Sequence, residues 1–122
     1  MILVDTSIWI DHLHASDSEL VRLLDESAVV THPMVIGELA LGRLKHRSKV
    51  LDALGGLTAL PTASHAEVLR FVDAHHLYGT GLSLVDCHLL ASTLLVPGTV
   101  LWTRDKRLTT EATKLGIAHS ER

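Results

Sequence analysis

Four carboxylates lie directly beside apolar segments of this 122-residue chain: Asp5, Glu38, Asp86 and Asp105. Each of them either ends an apolar run or interrupts one. A carboxylate buried without a cation or a proton is costly, so acids in such settings need a partner. Carboxylate oxygens suit hard divalent cations such as Mg²⁺ or Mn²⁺. The four acids therefore suggest a divalent-metal site, and crowding should raise their pKa values when no metal is bound.

The elements that would position these acids alternate between short apolar strands and helices. Strands are expected at 2–4, 28–31, 57–60 and 99–102, with a short fifth strand at 117–118. Short apolar strands separated by helices are typical of a parallel sheet that is covered on both faces. The sequence therefore predicts an α/β fold, a three-layer α/β/α sandwich with a short central parallel sheet flanked by helices.

Helix signals fill the segments between these strands. They begin at Ser7, Ser18, Pro33, Ser48, Ser64, Ser83 and Lys106. Pro33 suits a first helical position, and Ser64 with Glu67 forms a capping box. We expect the helix after Pro33 to continue to about Lys45 and the helix after Ser64 to about Tyr78, before Gly79.

For three of the acids, a helix cap is an equally good interpretation. Asp5 and Asp105 each stand between a strand and a helix, where an aspartate commonly caps the helix N-terminus. Asp86 follows Ser83 by three positions, which is the spacing of a capping box. Yet both strand-end acids should lie at the carboxyl edge of the sheet, where open parallel sheets bind ligands. Asp86 opens a helix near the same edge, so capping and metal binding are compatible.

Glu38 resists the capping interpretation. Its neighbours at three and four positions along the helix are Met34, Val35, Leu41 and Gly42, so its face of the helix is apolar. The alternative to a site residue is a glutamate at the margin of the core that reaches a basic partner such as Arg43. Glu38 is expected to reach inward from the flank of its helix.

The composition indicates one globular domain, expected over residues 1–122. The net charge is −3, which argues against a simple electrostatic nucleic-acid binder. It does not exclude a metal-dependent nuclease, because bound divalent cations would reverse the local charge. Cys87 is the only cysteine, so a reducing cytoplasm is the expected setting. The apolar stretch at the N-terminus stops at Asp5, so it is too short for the hydrophobic region of a signal peptide. The aliphatic stretch 89–96 is too short to cross a bilayer.

Several other side chains have two interpretations. Basic residues flank two of the acids: Arg43, Lys45, Arg47 and Lys49 on one side, and Arg104, Lys106 and Arg107 on the other. They form either solvated faces or contacts to RNA phosphates. Trp9 and Trp102 could stack on bases, although such residues are more often core or interface aromatics. The nine histidines lack the spacing of a zinc site.

Four segments together resemble the PIN-domain ribonucleases, and among them the VapC-type toxins of type II toxin–antitoxin systems. They are residues 2–7, 35–39, 81–86 and 101–108, in the family's order and across nearly the whole chain. The resemblance implies a PIN-like fold and a Mg²⁺-dependent endoribonuclease, with Mn²⁺ as a possible substitute. It also implies a cognate antitoxin, an RNA substrate, a homodimer and no membrane association.

The resemblance maps the catalytic acids of the family onto Asp5, Glu38, Asp86 and Asp105. Asp5 and Asp86 are the first choices as direct metal ligands, and Glu38 and Asp105 would complete the site directly or through water. Thr103 and Ser7 are the expected supporting hydroxyls. The RNA-contacting residues would be Arg43, Lys45, Arg104, Lys106 and Arg107.

Two other functions remain as alternatives. A phosphoacceptor receiver domain has similar length, but it would need an acceptor aspartate at the end of the middle strand, where this chain has Leu60-Pro61-Thr62. A non-catalytic α/β interaction or signalling module would use the acids only as helix caps. Metal-dependent RNA cleavage separates the nuclease from both alternatives.

Overall fold

A short parallel sheet forms the centre of the molecule in a computed structural model, which describes residues 1–121. Its strands are β1 (Ile2–Val4), β2 (Val29–Val30) and β3 (Val100–Trp102), in the order β2-β1-β3. All neighbours are parallel, and Ile2 pairs with both Val29 and Val100. β1 is therefore the central strand, and Asp5 follows it at the carboxyl edge of the sheet.

Seven helices surround this sheet within the described residues, and the fold is the predicted three-layer α/β/α sandwich. They are α1 (Thr6–His14), α2 (Ser18–Asp25), α3 (Pro33–Leu41), α4 (Arg47–Gly55), α5 (His65–Ala74), α6 (Leu84–Leu95) and α7 (Lys106–Lys114). Three of them start directly after a strand or its extension, namely α1, α3 and α7. These helices carry or follow acids that the sequence singled out, so the fold places them near one edge of the sheet.

The core is aliphatic, with two buried tryptophans. Leu3 and Val4 of β1 are completely buried, as is Trp102 of β3. Trp9 of α1 is only 5% exposed, so both tryptophans are core residues and neither presents a ring face for stacking on bases. No helix within residues 1–121 combines the length and the apolar character needed to cross a membrane.

The strand predicted at 57–60 is wrong in extent. Only a single parallel bridge joins Thr31 to Ala59, supported by hydrogen bonds between Thr31 and the backbone of Thr58 and Leu60. Pro61 follows and has no N–H to continue the ladder. The strand predicted at 117–118 is likewise reduced to one bridge, from Leu101 to Ala118.

Two helices end earlier than predicted. α3 stops at Leu41 because Gly42 is extended, with φ −84° and ψ 169°, and the guanidinium of Arg47 donates to the Ala40 carbonyl. α5 stops at Ala74, short of Tyr78, and His76 then takes a left-handed conformation with φ 52°. Local backbone changes at the helix ends, which composition alone does not reveal, set both boundaries.

Candidate functional site

Asp5 is the best-supported acid of the proposed site. It lies just past the central strand, and its side chain is buried, with the residue 8% exposed. Its carboxylate accepts hydrogen bonds from the Thr6 N–H at 2.8 Å, the Ser7 hydroxyl at 3.1 Å and the Thr103 hydroxyl at 2.8 Å. The N-cap prediction is therefore confirmed. The three donors also fix the orientation of the carboxylate, so its oxygens are held in place before any ligand arrives.

The charge of Asp5 is poorly compensated. Burial raises the pKa of its carboxyl above the ordinary value, the three hydrogen bonds lower it in part, and the negative charge of Asp86 raises it further. All three donors are neutral, and no ion pair within residues 1–121 involves Asp5. A buried carboxylate in this setting is stabilised by a cation, which suits it as a metal ligand.

Asp86 stands at the start of α6 and both predicted roles remain open to it. One carboxylate oxygen, Oδ2, accepts from the Ser83 N–H at 3.0 Å, while the Ser83 hydroxyl accepts from the Asp86 N–H at 3.1 Å. This reciprocal pair is the expected capping box. In the described part of the chain the other oxygen, Oδ1, makes no hydrogen bond. That oxygen can therefore accept a ligand without loss of the cap.

Thr6, the residue after Asp5, connects Glu38 to the site. The Thr6 hydroxyl donates to a Glu38 carboxylate oxygen at 2.7 Å, and Thr6 directly follows Asp5. The side chain of Glu38 is exposed. The apolar neighbours along its helix do not cover it, since Leu41 on the same face is itself 91% exposed. Glu38 has no ion pair with Arg43, so the alternative of a core-margin pair fails in the described chain.

Asp105 connects to Asp5 through Thr103. The Thr103 hydroxyl donates to Asp5 and accepts from the Asp105 N–H at 3.1 Å. The Asp105 carboxylate also accepts from the Leu108 N–H at 2.9 Å, which confirms the predicted N-cap of α7. The side chain of Asp105 is exposed. Of the four acids, only Asp5 is buried, and the two exposed ones approach it through hydroxyl-bearing neighbours.

The chemistry of these side chains is compatible with a divalent-cation site to which the protein supplies few ligands. Within residues 1–121 no three His, Cys, Asp or Glu side chains already form a group that could hold a metal ion. Mg²⁺ commonly keeps several waters and is held by one or two carboxylates, so such a group is not required. The buried, uncompensated Asp5 and the charge-coupled Asp86 provide oxygen donors of the right chemistry. Glu38 and Asp105 are exposed to solvent.

Arg104, one of the predicted RNA contacts, is already engaged. Its guanidinium pairs with Asp17 at 2.8 Å, Glu121 at 2.8 Å and Asp11 at 3.0 Å. These hydrogen bonds, led by that to Asp17, raise the pKa of Arg104 above its ordinary value. The guanidinium also lies 5.6 Å from the centre of the Trp102 ring. Contact with RNA through Arg104 would compete with this network.

The remaining basic residues are exposed on two sides of the acids. Arg107 covers Gly81, where an added Cβ would lie 2.9 Å from the guanidinium Nη1. With φ 84°, Gly81 also has a backbone conformation that favours glycine, so Arg107 adjoins the loop that leads to Ser83 and the Asp86 helix. Lys106 is exposed beside it. Arg107 therefore places a positive charge beside the loop that leads to Asp86.

Arg43 and Lys45 are exposed just after the C-terminal end of α3. They line a surface cavity of ≈ 470 Å³, together with Ile10, Leu13 and His14. A second cavity of ≈ 270 Å³ shares Leu13 and is lined by residues of α1, α2 and α4 and by Leu57. None of the four acids lines either of these two cavities.

Two polar side chains that the sequence analysis did not single out turn out to matter for the site's surroundings. Thr6 bridges the backbone next to Asp5 to Glu38, and His32 caps α3 from a fully buried position. Thr6 lies in the opening segment that carried the family resemblance, which could have indicated it. His32 precedes Pro33, and a polar residue before a helical proline is a recognisable N-cap position.

Comparisons with known proteins identify the family of the chain. The family profile described as "PIN domain" matches residues 2–112. Two curated proteins called Ribonuclease VapC32 are each 52% identical to the chain over 121 residues. They come from Mycobacterium tuberculosis strains CDC 1551 / Oshkosh and ATCC 25618 / H37Rv. The matches cover 99% of this chain and 98% of each relative. The matched region includes all four acids.

Proposed function

Because the chain belongs to the PIN-domain family, we propose that it is a metal-dependent endoribonuclease and the toxic component of a type II toxin–antitoxin pair. Its substrate is RNA, and its metal is Mg²⁺, with Mn²⁺ as a substitute. The two relatives are called ribonucleases in their names and match almost the entire chain, which supports carrying that activity over.

One observation carries the metal-dependent part of the proposal. Asp5 is a buried carboxylate with a raised pKa, held by three neutral donors, without a cation and beside a second acid. Retaining an uncompensated buried charge destabilises a fold, so its presence favours a functional role. A divalent cation removes this cost and uses the carboxylate as a ligand.

Each residue then has a role that follows from its position. Asp5 and Asp86 hold the metal, with Thr103 and Ser7 fixing the orientation of the Asp5 carboxylate. A bound Mg²⁺ would polarise the scissile phosphate and make an attacking water more acidic.

The exposed acids and bases surround that pair. The exposed side chains of Glu38 and Asp105 contact water and orient it towards the phosphate. The exposed Lys106 and Arg107 contact the RNA backbone on the Asp86 side, and Arg43 and Lys45 contact it on the α3 side.

The proposal also covers assembly and setting. The protein is a single PIN domain over residues 1–122, forms a homodimer and is blocked by a cognate antitoxin in the cytoplasm. Light scattering coupled to size exclusion measures the dimer. Co-expression with the product of an adjacent small reading frame should yield a complex in which RNA cleavage is suppressed. A monomer at micromolar concentration would contradict the dimer.

The central experiment is RNA cleavage with matched aspartate variants. Purified protein is incubated with structured RNA in Mg²⁺ or in EDTA. We expect cleavage only with Mg²⁺, and a loss of about a hundredfold or more in Asp5→Asn, because a metal contributes several kcal/mol to the transition state. Asp52→Asn, an exposed acid of α4 away from the site, is the matched control and should keep full activity. Equal cleavage in EDTA, or full activity of Asp5→Asn, would reject the metal-nuclease proposal.

One observation favours a second candidate, the non-catalytic module. Asp5, Asp86 and Asp105 do cap α1, α6 and α7, as that alternative requires. Capping does not account for the burial of Asp5 or for the lack of a cation beside it, since Asp105 caps equally well while exposed. The cleavage experiment decides between the two functions.

A further inference from the structure

A buried histidine links two of the helices that carry acids of the site. His32 is completely buried at the N-cap of α3, and its Nδ1 accepts from the Met34 N–H at 3.0 Å. A nitrogen that accepts carries no proton, so in the neutral ring the proton lies on Nε2. Nε2 is 2.9 Å from the hydroxyl of Ser92, a completely buried residue of α6. The ring therefore donates to α6 while it caps α3.

The surroundings keep this imidazole neutral. Burial, followed by the nearby His88, lowers the pKa of His32 to about 4. The ring of His88 lies 6.5 Å from that of His32, and its buried Nδ1 has no partner within the described residues. A proton on Nδ1 of His32 would break the cap, so a neutral ring is required for both hydrogen bonds at once.

The two helices joined in this way carry Glu38 and Asp86. Glu38 lies six residues after His32 on α3, and Asp86 lies six residues before Ser92 on α6. Each acid is thus about 9 Å along its helix from the linking hydrogen bond, at 1.5 Å per residue. At the other end, Glu38 bonds to Thr6 beside Asp5, and Asp86 acts electrostatically on Asp5. The hydrogen bond between His32 and Ser92 and the acids Glu38 and Asp86 therefore lie at two places along the same pair of packed helices, α3 and α6.

We propose that His32 is a positioning residue whose hydrogen bond to Ser92 fixes α3 against α6 and so sets the separation of Glu38 and Asp86 across the metal site. This proposal rests on the proposed function, because it concerns the geometry of the same acids. The linking hydrogen bond is buried, so it holds without competition from water. Removing the hydrogen bond between His32 and Ser92 would change the positions of Glu38 and Asp86 without removing any group that contacts the metal or the RNA.

The test uses two neighbouring hydroxyls of α6 that differ only in their partner. Ser92 bonds across to His32, whereas the buried Thr93 bonds within its own helix to the Leu89 carbonyl at 2.7 Å. Ser92→Ala removes the link between helices, and Thr93→Val removes a buried hydroxyl without affecting it. His32→Asn is a second variant, since asparagine keeps an acceptor for the cap but is too short to reach Ser92.

Mn²⁺ binding to each full-length protein is measured without RNA, by the electron paramagnetic resonance signal of free Mn²⁺. We expect Ser92→Ala to weaken binding about fivefold, in the range of couplings carried by packed networks. Thr93→Val should bind within twofold of the wild type. With RNA, Ser92→Ala should lower kcat while KM stays within twofold. His32→Asn combined with Ser92→Ala should weaken Mn²⁺ binding no more than the stronger single variant, because both remove one interaction.

The outcomes separate the two proposals. If the wild type binds no Mn²⁺ and cleaves no RNA, the proposed function fails and this inference fails with it. If the wild type binds Mn²⁺ while Ser92→Ala and Thr93→Val behave alike, His32 has only a structural role and the positioning proposal alone is overturned. Additive effects of His32→Asn and Ser92→Ala on Mn²⁺ binding would also overturn it.

Discussion

Two acidic regions lie on either side of residues 103–105, and they handle negative charge in opposite ways. In the first, Asp5 is buried and charge-coupled to Asp86 without a cation, so its pKa is raised. In the second, Asp11, Asp17 and Glu121 converge on Arg104, and the hydrogen bond from Arg104 lowers the pKa of Asp17. Acids that hold the fold together come with their cation. Acids that lack one are candidates for a cation from solution.

The largest effect on stability is expected from removing the cation of the second region. Arg104→Met should lower the free energy of unfolding by about 2 kcal/mol, because three partly exposed ion pairs are lost together. Arg22→Met is the matched control. Its pairs with Glu19 and Glu26 are local to one helix turn, so a smaller loss is expected. Urea unfolding measures both.

Arg104→Met also tests the RNA prediction for Arg104. If the guanidinium serves the ion-pair network, cleavage per folded molecule should stay within about threefold of the wild type and its salt dependence should not change. A strong rise in KM with a weaker salt dependence would instead place Arg104 among the RNA contacts.

The second prediction contrasts one aspartate from each region. Asp5→Asn should raise the melting temperature of the metal-free protein at pH 7, because the amide carries no charge that burial would penalise. Its raised pKa means that the folded state holds its proton more tightly than the unfolded state. The contribution of Asp5 to the free energy of unfolding is therefore lost as the pH rises from the ordinary pKa of 3.8 through the raised pKa of the folded state. An asparagine does not ionise, so the variant does not lose this contribution.

Asp17→Asn should act in the opposite direction and lower the melting temperature at pH 7. The pKa of Asp17 is lowered, so its contribution is present above 3.8 and is lost as the pH falls through the folded value. Differential scanning calorimetry at pH 7 compares the two variants. If the melting temperature changes in the same direction in Asp5→Asn and Asp17→Asn, the two acidic regions do not differ in the way proposed.

The smallest effect concerns the coupling within the first region. Asp86→Asn should lower the pKa of Asp5 slightly, because burial dominates and the charge of Asp86 adds to it. Carboxyl ¹³C chemical shifts followed over pH detect such a change. Asp11→Asn, which removes an acid from the other region, should leave the Asp5 titration as it is. An unchanged pKa in Asp86→Asn would mean that the two acids are not close enough to share a cation.

Much of the fold and of the site could be predicted from the sequence. The strand at 2–4, the capping boxes at Ser64 and Ser83 and the caps at Asp5 and Asp105 follow from local chemistry, and the structure confirms them. The strand predicted at 99–102 is found at Val100–Trp102, one residue shorter. Local rules succeed there because each depends on neighbours in the chain.

Features that depend on tertiary packing could not be predicted. The exposure of Glu38 is one, because an apolar helix face does not reveal whether anything covers it. The network around Arg104 is another, since its partners lie up to 93 positions away. The link from His32 to Ser92 spans 60 positions. Side chains distant in sequence make these contacts, and a single sequence does not show them.

We propose that the first region binds a divalent cation, whereas Arg104 already supplies the positive charge of the second. The most direct measurement is the pKa of Asp5, followed by its carboxyl ¹³C shift over pH, with and without saturating Mg²⁺. We expect a raised pKa in the metal-free protein and a clear fall when Mg²⁺ is added, with the titration of Asp17 unaffected. An Asp5 titration that is the same with and without Mg²⁺ would contradict it.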